Sequence, residues 1–208
     1  MNRLYRKHGI RAMIGVVLAA LIPVTASAQL ITFTHLGGSG SGSLAGNNFF
    51  NKAFTITATA DLANRTSFTG GYSLVHDAAT INIADVGTFT FTTLTRTFVN
   101  NAFWAAGFSR ASGTDLFNMN SNAAFGSWDM TTSLGPIAGT GYLIQWMFGD
   151  IQTSGGILNM NDASPVEASF SAAVRQTPVP EPAAVGLLLA GGALLLLRGA
   201  RRTRTSAI

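Results

Sequence analysis

An all-β fold, an antiparallel β-sandwich or jelly-roll-like domain, is what the middle of this 208-residue sequence predicts. Three observations predict it. Apolar and polar residues alternate with period two, turn-forming residues separate the alternating runs, and no window of the middle region has a helical period. The two ends differ in composition from this body, so the chain divides into segments 1–28, 29–176 and 177–208.

The first segment opens with Arg3, Arg6, Lys7 and Arg11 and carries no acid among them. An apolar run over residues 12–22 follows and stops at Pro23, and Ala26-Ser27-Ala28 places small residues at the −3 and −1 positions of a cut before Gln29. A basic head, a short greasy core and an A-x-A exit make a secretory signal peptide with Ala26 and Ala28 as the cleavage determinants. The core is too short to span a bilayer, which takes roughly 20 apolar residues.

In the body, Ile31 and Phe33 alternate with Thr32 and Thr34, and Phe54, Ile56 and Ala58 alternate with Thr55, Thr57 and Thr59. Ile81 and Ile83 flank Asn82, Phe89 and Phe91 flank Thr90, and Ala168, Phe170, Ala172 and Val174 repeat the pattern near the end. Antiparallel sheet with one wet face has this signature, and threonine suits the wet face because it is β-branched yet polar. The denser apolar run at 142–148 (YLIQWMF) reads as a strand buried on both faces. Glycine-rich 37–46, Thr69-Gly70-Gly71, Gly113, Gly135-Pro136 and Ser154-Gly155-Gly156 read as turns or loops. Lys52 and Arg96 are expected to guard strand edges against pairing with other sheets. A closed barrel fits the same pattern.

Residues 183–197 (AAVGLLLAGGALLLL) carry no polar side chain, and Arg198, Arg201, Arg202 and Arg204 follow at once. A helix over this run reaches roughly 22 Å, and snorkelling by Arg198 narrows the gap to a ~30 Å hydrocarbon core. The positive-inside rule puts the arginines in the cytoplasm as a stop signal and the body on the far side of the membrane. Val179-Pro180-Glu181-Pro182 abuts the run. Pro182 suits a first helical turn, and Glu181 lies by the positive end of the helix dipole. Pro180 keeps the preceding backbone extended, as a protease requires.

This order of Pro-Glu-Pro triplet, apolar helix and Arg-rich terminus resembles the PEP-CTERM family of sorting signals over about the last thirty residues. The resemblance implies an exosortase-type membrane peptidase as partner, cleavage near Pro-Glu-Pro, a transient inner-membrane anchor, and association with exopolysaccharide in biofilm or floc. Residues 38–61 also resemble the opening of bodies found upstream of such signals.

A net charge of +4 would ordinarily point to an anionic partner. Eight of the thirteen basic residues lie in the two terminal segments, however, and residues 29–176 hold five basic against eight acidic side chains. The exported body is mildly acidic and lacks a nucleic-acid footprint. The chain has no cysteine, which excludes disulfides and thiol chemistry.

Catalytic groups are sparse. Within the body only His35 and His76 are available, and Ser73, His76 and Asp77 fall together on what reads as a surface turn. No G-x-S-x-G elbow occurs. Gly38-Ser39-Gly40-Ser41-Gly42 lacks the phosphate-loop lysine and leads into strand, so it reads as a flexible loop. Asp115, Asn118, Asn120 and Asn122, and separately Asn159, Asn161 and Asp162, offer calcium oxygens but too few carboxylates, and polar loops explain them better. No metal and no cofactor is expected. Among Trp104, Trp128, Trp146, Tyr72 and Tyr142, the indole of Trp146 reads as core. Trp128, beside Gly126-Ser127 and Asp129, is the best candidate for an exposed sugar-stacking contact. The sequence therefore favours a non-enzymatic surface or matrix protein. A carbohydrate-binding module comes next, and a secreted hydrolase last.

Overall fold

A computed structural model describes residues 29–176. Among them lie thirteen strands: β1 (Gln29–Leu44), β2 (Asn47–Asp61), β3 (Thr66–Phe68), β4 (Gly71–Val75), β5 (Ala78–Ile83), β6 (Gly87–Thr90), β7 (Thr95–Asn100), β8 (Ala105–Arg110), β9 (Asp115–Met119), β10 (Leu134–Leu143), β11 (Ile151–Thr153), β12 (Gly156–Met160) and β13 (Ala163–Gln176). Three short 3-10 turns, Leu62–Asn64, Ala123–Gly126 and Trp146–Phe148, are the remaining regular elements. The fold class is all-β, as the alternation predicts. The expected signal peptide, including Ala26 and Ala28, and the expected sorting tail, including Val179, Pro180, Glu181, Pro182 and the four terminal arginines, lie outside the described residues. Among the described residues no helix is long and apolar enough to cross a membrane.

All strands join one antiparallel sheet in the order β3-β4-β7-β8-β9-β10-β13-β1-β2-β5-β6, with the β11–β12 hairpin attached to β1. The long β1–β2 hairpin sets Ile31, Phe33, Phe54, Ile56, Ala58 and Ala60 on the inner face, with threonines between them facing out. The sheet folds over on itself. The β1 ring of His35 lies 5.9 Å from Phe108 of β8 and 6.4 Å from Phe117 of β9, strands well removed from β1 in the order. Edge-to-face and offset pairs of this kind add to the stabilisation from burying each ring.

Both ends of the interior are covered. The connection from β9 to β10 buries Phe125, Trp128 and Met130, and the rings of Phe125 and Trp128 each sit 5.5 Å from Phe170. Asn101 pins this segment by donating to the carbonyls of Phe125 (2.6 Å) and Trp128 (2.9 Å). At the other end Leu44, Phe49, Ile151, Leu158 and Met160 close the core. There Phe91 bridges to Thr153, and Ser154 N donates to Thr90 O, tying β6 to β11.

Several expectations need correction. The glycine-serine run is strand, not loop, because its glycines are where strands come closest. A Cβ at Gly42 would lie 2.1 Å from the Asn159 carbonyl oxygen, and one at Gly37 would lie 2.3 Å from the Phe54 ring. Two register shifts between Gly37 and Gly42 absorb the irregularity. Gly135-Pro136 likewise lies inside β10, at a register shift between Leu134 and Ile137. The run 142–148 is not one strand. β10 stops at Leu143, Gln145 adopts φ +60°, and the 3-10 turn that follows buries Trp146 while exposing Met147 and Phe148. Lys52 and Arg96 lie on strands paired on both sides. The strands that end the order are β3 and β6, and Arg65, just before β3, packs its guanidinium 4.7 Å from the Tyr72 ring centroid.

Gly42→Ala is expected to cost about 2 kcal/mol, because the new methyl meets backbone atoms of β12 that have no rotamer with which to retreat. Urea midpoints measure it, and a midpoint equal to the parent's would refute the close approach of β1 and β12.

Candidate functional site

Two polar constellations stand out, one inside the sheet and one on its outer face. The inner one begins with strand alternation in β4, where Leu74 faces in, Val75 faces out, and the next inward position falls on His76. His76 Nδ1 lies 2.9 Å from Thr95 Oγ1 and its Nε2 lies 2.9 Å from Thr97 Oγ1. His35, from β1, places Nε2 3.1 Å from the same Thr97 hydroxyl. A hydroxyl donates one hydrogen bond and accepts others, so Thr97 Oγ1 can accept from the N–H of one neutral ring and donate to the bare nitrogen of the other. His76 also stacks on Phe108 at 5.5 Å, and His35 lies 5.0 Å from Phe170. Burial lowers the pKa of both rings to about 3, with the nearby His76 adding to the effect on His35.

This arrangement corrects the reading of His76 as a surface turn residue. It also separates the three residues that the sequence places side by side. Ser73 belongs to the outward-facing set of β4 and bonds Thr66 Oγ1 at 3.0 Å, while His76 points inward. Asp77 is exposed, and its N–H donates to Thr59 O.

The outer constellation spans β3, β4, β7, β8 and β9. Alternation in β7 sends Thr95, Thr97 and Val99 inward and Arg96, Phe98 and Asn100 outward. Across from them, Gly107 of β8 pairs with Phe98 on one side and with Asn118 of β9 on the other. Two adjoining hollows of about 350 and 340 Å³ share Phe98, Asn100 and Asp115 as lining. Phe103, Asn118 and Asn120 extend one of them, and Phe68 and Arg96 the other. Glycine is required at the floor, since a Cβ at Gly107 would sit 2.3 Å from Asn118 Oδ1 and 2.6 Å from the Phe98 ring. Asn118 Nδ2 donates to Asp115 Oδ2 at 3.0 Å, and Arg96 Nε donates to Ser109 Oγ at 3.0 Å. Burial raises the pKa of Asp115, while the Asn118 bond and Arg96 partly offset that. Asn118 Oδ1 is buried and holds no hydrogen bond among the described residues.

Trp128 is not the exposed contact expected of it. Its ring is only 5% exposed. It packs 6.5 Å from Phe33 and donates Nε1–H to Thr132 O at 2.9 Å. Trp146 is core, as expected, with its Nε1–H on Leu116 O. The exposed indole is Trp104.

The two sequence clusters of calcium-type oxygens do not behave as cages. Asn122 caps the 3-10 turn through Ala124 N, and Asp115 holds Asn118. Asn159, Asn161, Asp162 and Asp150 line a separate open hollow of about 440 Å³ beside Trp146. Asp162 Oδ1 there accepts weakly from Trp146 N, at 3.4 Å. Sequence reasoning missed Phe68, Phe98, Asn100, Phe103 and Gly107. The available signal was the polar-aromatic-polar alternation of Arg96, Phe98 and Asn100. Compared with known protein families, curated proteins and solved structures, the chain finds no match.

Proposed function

We propose that this protein is an exported, non-enzymatic surface or extracellular-matrix protein whose tail is read and cut by an exosortase-type peptidase. The observation that carries the reading is the order of Val179-Pro180-Glu181-Pro182, an uninterrupted apolar run, and Arg198, Arg201, Arg202 and Arg204. Each part has a separate physical role. The prolines present extended chain at the membrane surface, the apolar run holds the tail in the bilayer, and the arginines stop transfer. A basic head and an A-x-A exit at the other end supply the matching export signal.

The body suits life outside the cell. It is cysteine-free and mildly acidic, and its outward threonines and sparse charge leave a hydrated surface. We read the curled sheet as a sandwich-like cargo domain delivered to the cell surface or to exopolysaccharide, with the inner membrane as a temporary anchor. Neither nucleic acid nor a cofactor has a place in this reading.

Mass spectrometry of the protein from cells and from medium tests it. The mature species is expected to begin at Gln29 and to end near Pro180. Replacing Pro180, Glu181 and Pro182 together by alanine is expected to leave the tail uncut and the protein in the membrane fraction. An intact Arg-rich terminus on protein recovered from the medium, or full-length uncut protein in the cytosol, would overturn the reading.

A further inference from the structure

We propose that the turn between β7 and β8 seats Phe103 and Trp104 in the headgroup layer of a phospholipid membrane, so that this end of the body lies against the bilayer that anchors the tail. The inference rests on the anchored-tail reading above and adds to it a contact between the folded body and lipid.

The first reason is where the chain leaves the body. β1 begins at Gln29 and β13 ends at Gln176, and these two residues pair in the β1–β13 ladder. Both ends of the sequence therefore depart from one edge of the domain. Only residues 177–182 separate Gln176 from the apolar run that starts at Ala183. Extended chain covers at most 3.3–3.6 Å per residue, so this tether reaches about 20 Å.

The second reason is what stands at that end. Hydrogen bonds link the end of β13 to the turn step by step. Val174 N–H donates to Ser133 Oγ at 2.9 Å, Trp128 Nε1–H donates to Thr132 O at 2.9 Å, and Asn101 Nδ2 donates to Trp128 O at 2.9 Å. Phe103 is 76% exposed and Trp104 52% exposed. Their presentation is held in place. Phe103 N–H donates to Asn100 Oδ1 at 3.3 Å, and Asn122 N–H donates to Trp104 O at 3.2 Å. Trp104 adopts φ +52°, a conformation that bulky side chains avoid unless their surroundings impose it.

The chemistry of the turn selects lipid. Asn101, Ala102, Phe103 and Trp104 carry no charge to desolvate, and an indole with its apolar body and single N–H suits the level of the headgroups. A bilayer surface also accepts a projecting pair of rings without a matching cavity. Exposure alone does not select this place, because Met147 and Phe148 are 80% and 68% exposed. They follow Leu143, which pairs with Ala163 at the opposite end of β13, about 40 Å of strand away from Gln176. With the tethered end down, they stay in water.

The test reconstitutes the full-length protein in vesicles of phosphatidylethanolamine and phosphatidylglycerol, with and without phosphatidylcholine brominated near the headgroup end of its acyl chains. Flotation with the vesicles reports the anchor, and tryptophan emission reports the contact. Trp128 and Trp146 are buried, so the emission lost in Trp104→Phe is the share of Trp104. Bromolipid is expected to quench at least half of that share. Phe103→Ala is expected to reduce the quenching at least twofold, and Phe148→Ala to leave it unchanged. Phe103 and Trp104 are exposed, so neither change opens the core. Protein that floats while bromolipid leaves the Trp104 emission untouched, or quenches it equally in Phe103→Ala, would overturn the contact and leave the anchor standing. Trp104 shielded from aqueous acrylamide but not quenched by bromolipid would overturn it in favour of a protein surface. Failure to float would remove the anchor and the proposal with it.

Discussion

Acidification from pH 7 to about pH 4.5 is expected to remove about 5 kcal/mol of folding stability through His35 and His76 alone. Both rings lie inside the sheet on Thr97 and are neutral in the fold, with pKa values lowered to about 3 against 6.5 in an unfolded chain. Between those values the unfolded state binds protons that the folded state refuses, so stability is full above pH 6.5 and falls as pH drops toward 3. Each ring then contributes about 1.36 kcal/mol per pH unit within the window, which gives about 2–3 kcal/mol per ring by pH 4.5. Small domains hold roughly 5–15 kcal/mol in total, so the loss is a large share.

The neighbours do not rescue the charge. Each histidine has the other as its titratable neighbour, and Arg110 faces the same interior from β8, opposite Thr95. The two ion pairs among the described residues, Lys52–Asp85 and Arg65–Asp129, involve neither imidazole. Asp115 works modestly in the opposite direction, because burial raises its pKa and neutralising it in acid relieves the fold. Urea midpoints at the two pH values measure the net effect. The His35→Gln, His76→Gln double variant is expected to lose most of the pH slope. Imidazole proton resonances of the folded protein are expected not to titrate above about pH 5. A ring that titrates near 6.5, or a midpoint unchanged by acid, would refute the buried neutral pair.

Where sequence periodicity carried side chains, it was sufficient. The inward sets of β1, β2, β5 and β13 are those that alternation selects, because each of these strands has one dry and one wet face. It failed where side chains were absent or where distant partners decide. The Gly37–Gly42 stretch has no alternation to read, and only the neighbouring Phe54, Met160 and Asn159 show that its glycines are packing residues. Trp128 has small and polar sequence neighbours, yet Phe33 and Phe170 bury it. His76 was legible in principle as the second step inward from Leu74, but the polar residue after it read as a turn. The groove was harder still. Phe98 and Asn118 are twenty positions apart in sequence, and only the pairing of β7 with β8 and β8 with β9 sets them over Gly107.

Arg110→Met is expected to cost about 4 kcal/mol, more than most core truncations of similar size. The residue sits on the inner face of β8 and is 7% exposed, with its guanidinium lowered in pKa by burial. No carboxylate among the described residues pairs with it. Instead Nη1 donates to Gln145 O at 3.2 Å, and Nη2 donates to Trp146 O at 3.2 Å and to Gly149 O. These three carbonyls belong to the irregular segment that interrupts the apolar run after β10, where Gln145 and Gly149 both adopt positive φ and the strand ladder offers no partners. The planar fork therefore replaces a missing ladder with hydrogen bonds from a charged donor, each worth roughly 1.5–3 kcal/mol before losses from non-additivity. Methionine keeps much of the stem's packing and removes only the fork, which isolates the polar contribution. Lysine is a point charge on a flexible stem and does not span three acceptors, so Arg110→Lys is expected to recover less than half the loss. Urea denaturation gives the magnitude, and amide exchange at residues 145–149 gives the location. Exchange there is expected to rise by at least tenfold in Arg110→Met while β1 and β2 remain protected. A cost below about 1 kcal/mol would mean that water serves these carbonyls as well as the guanidinium does, and the turn that exposes Met147 and Phe148 would then need another cause.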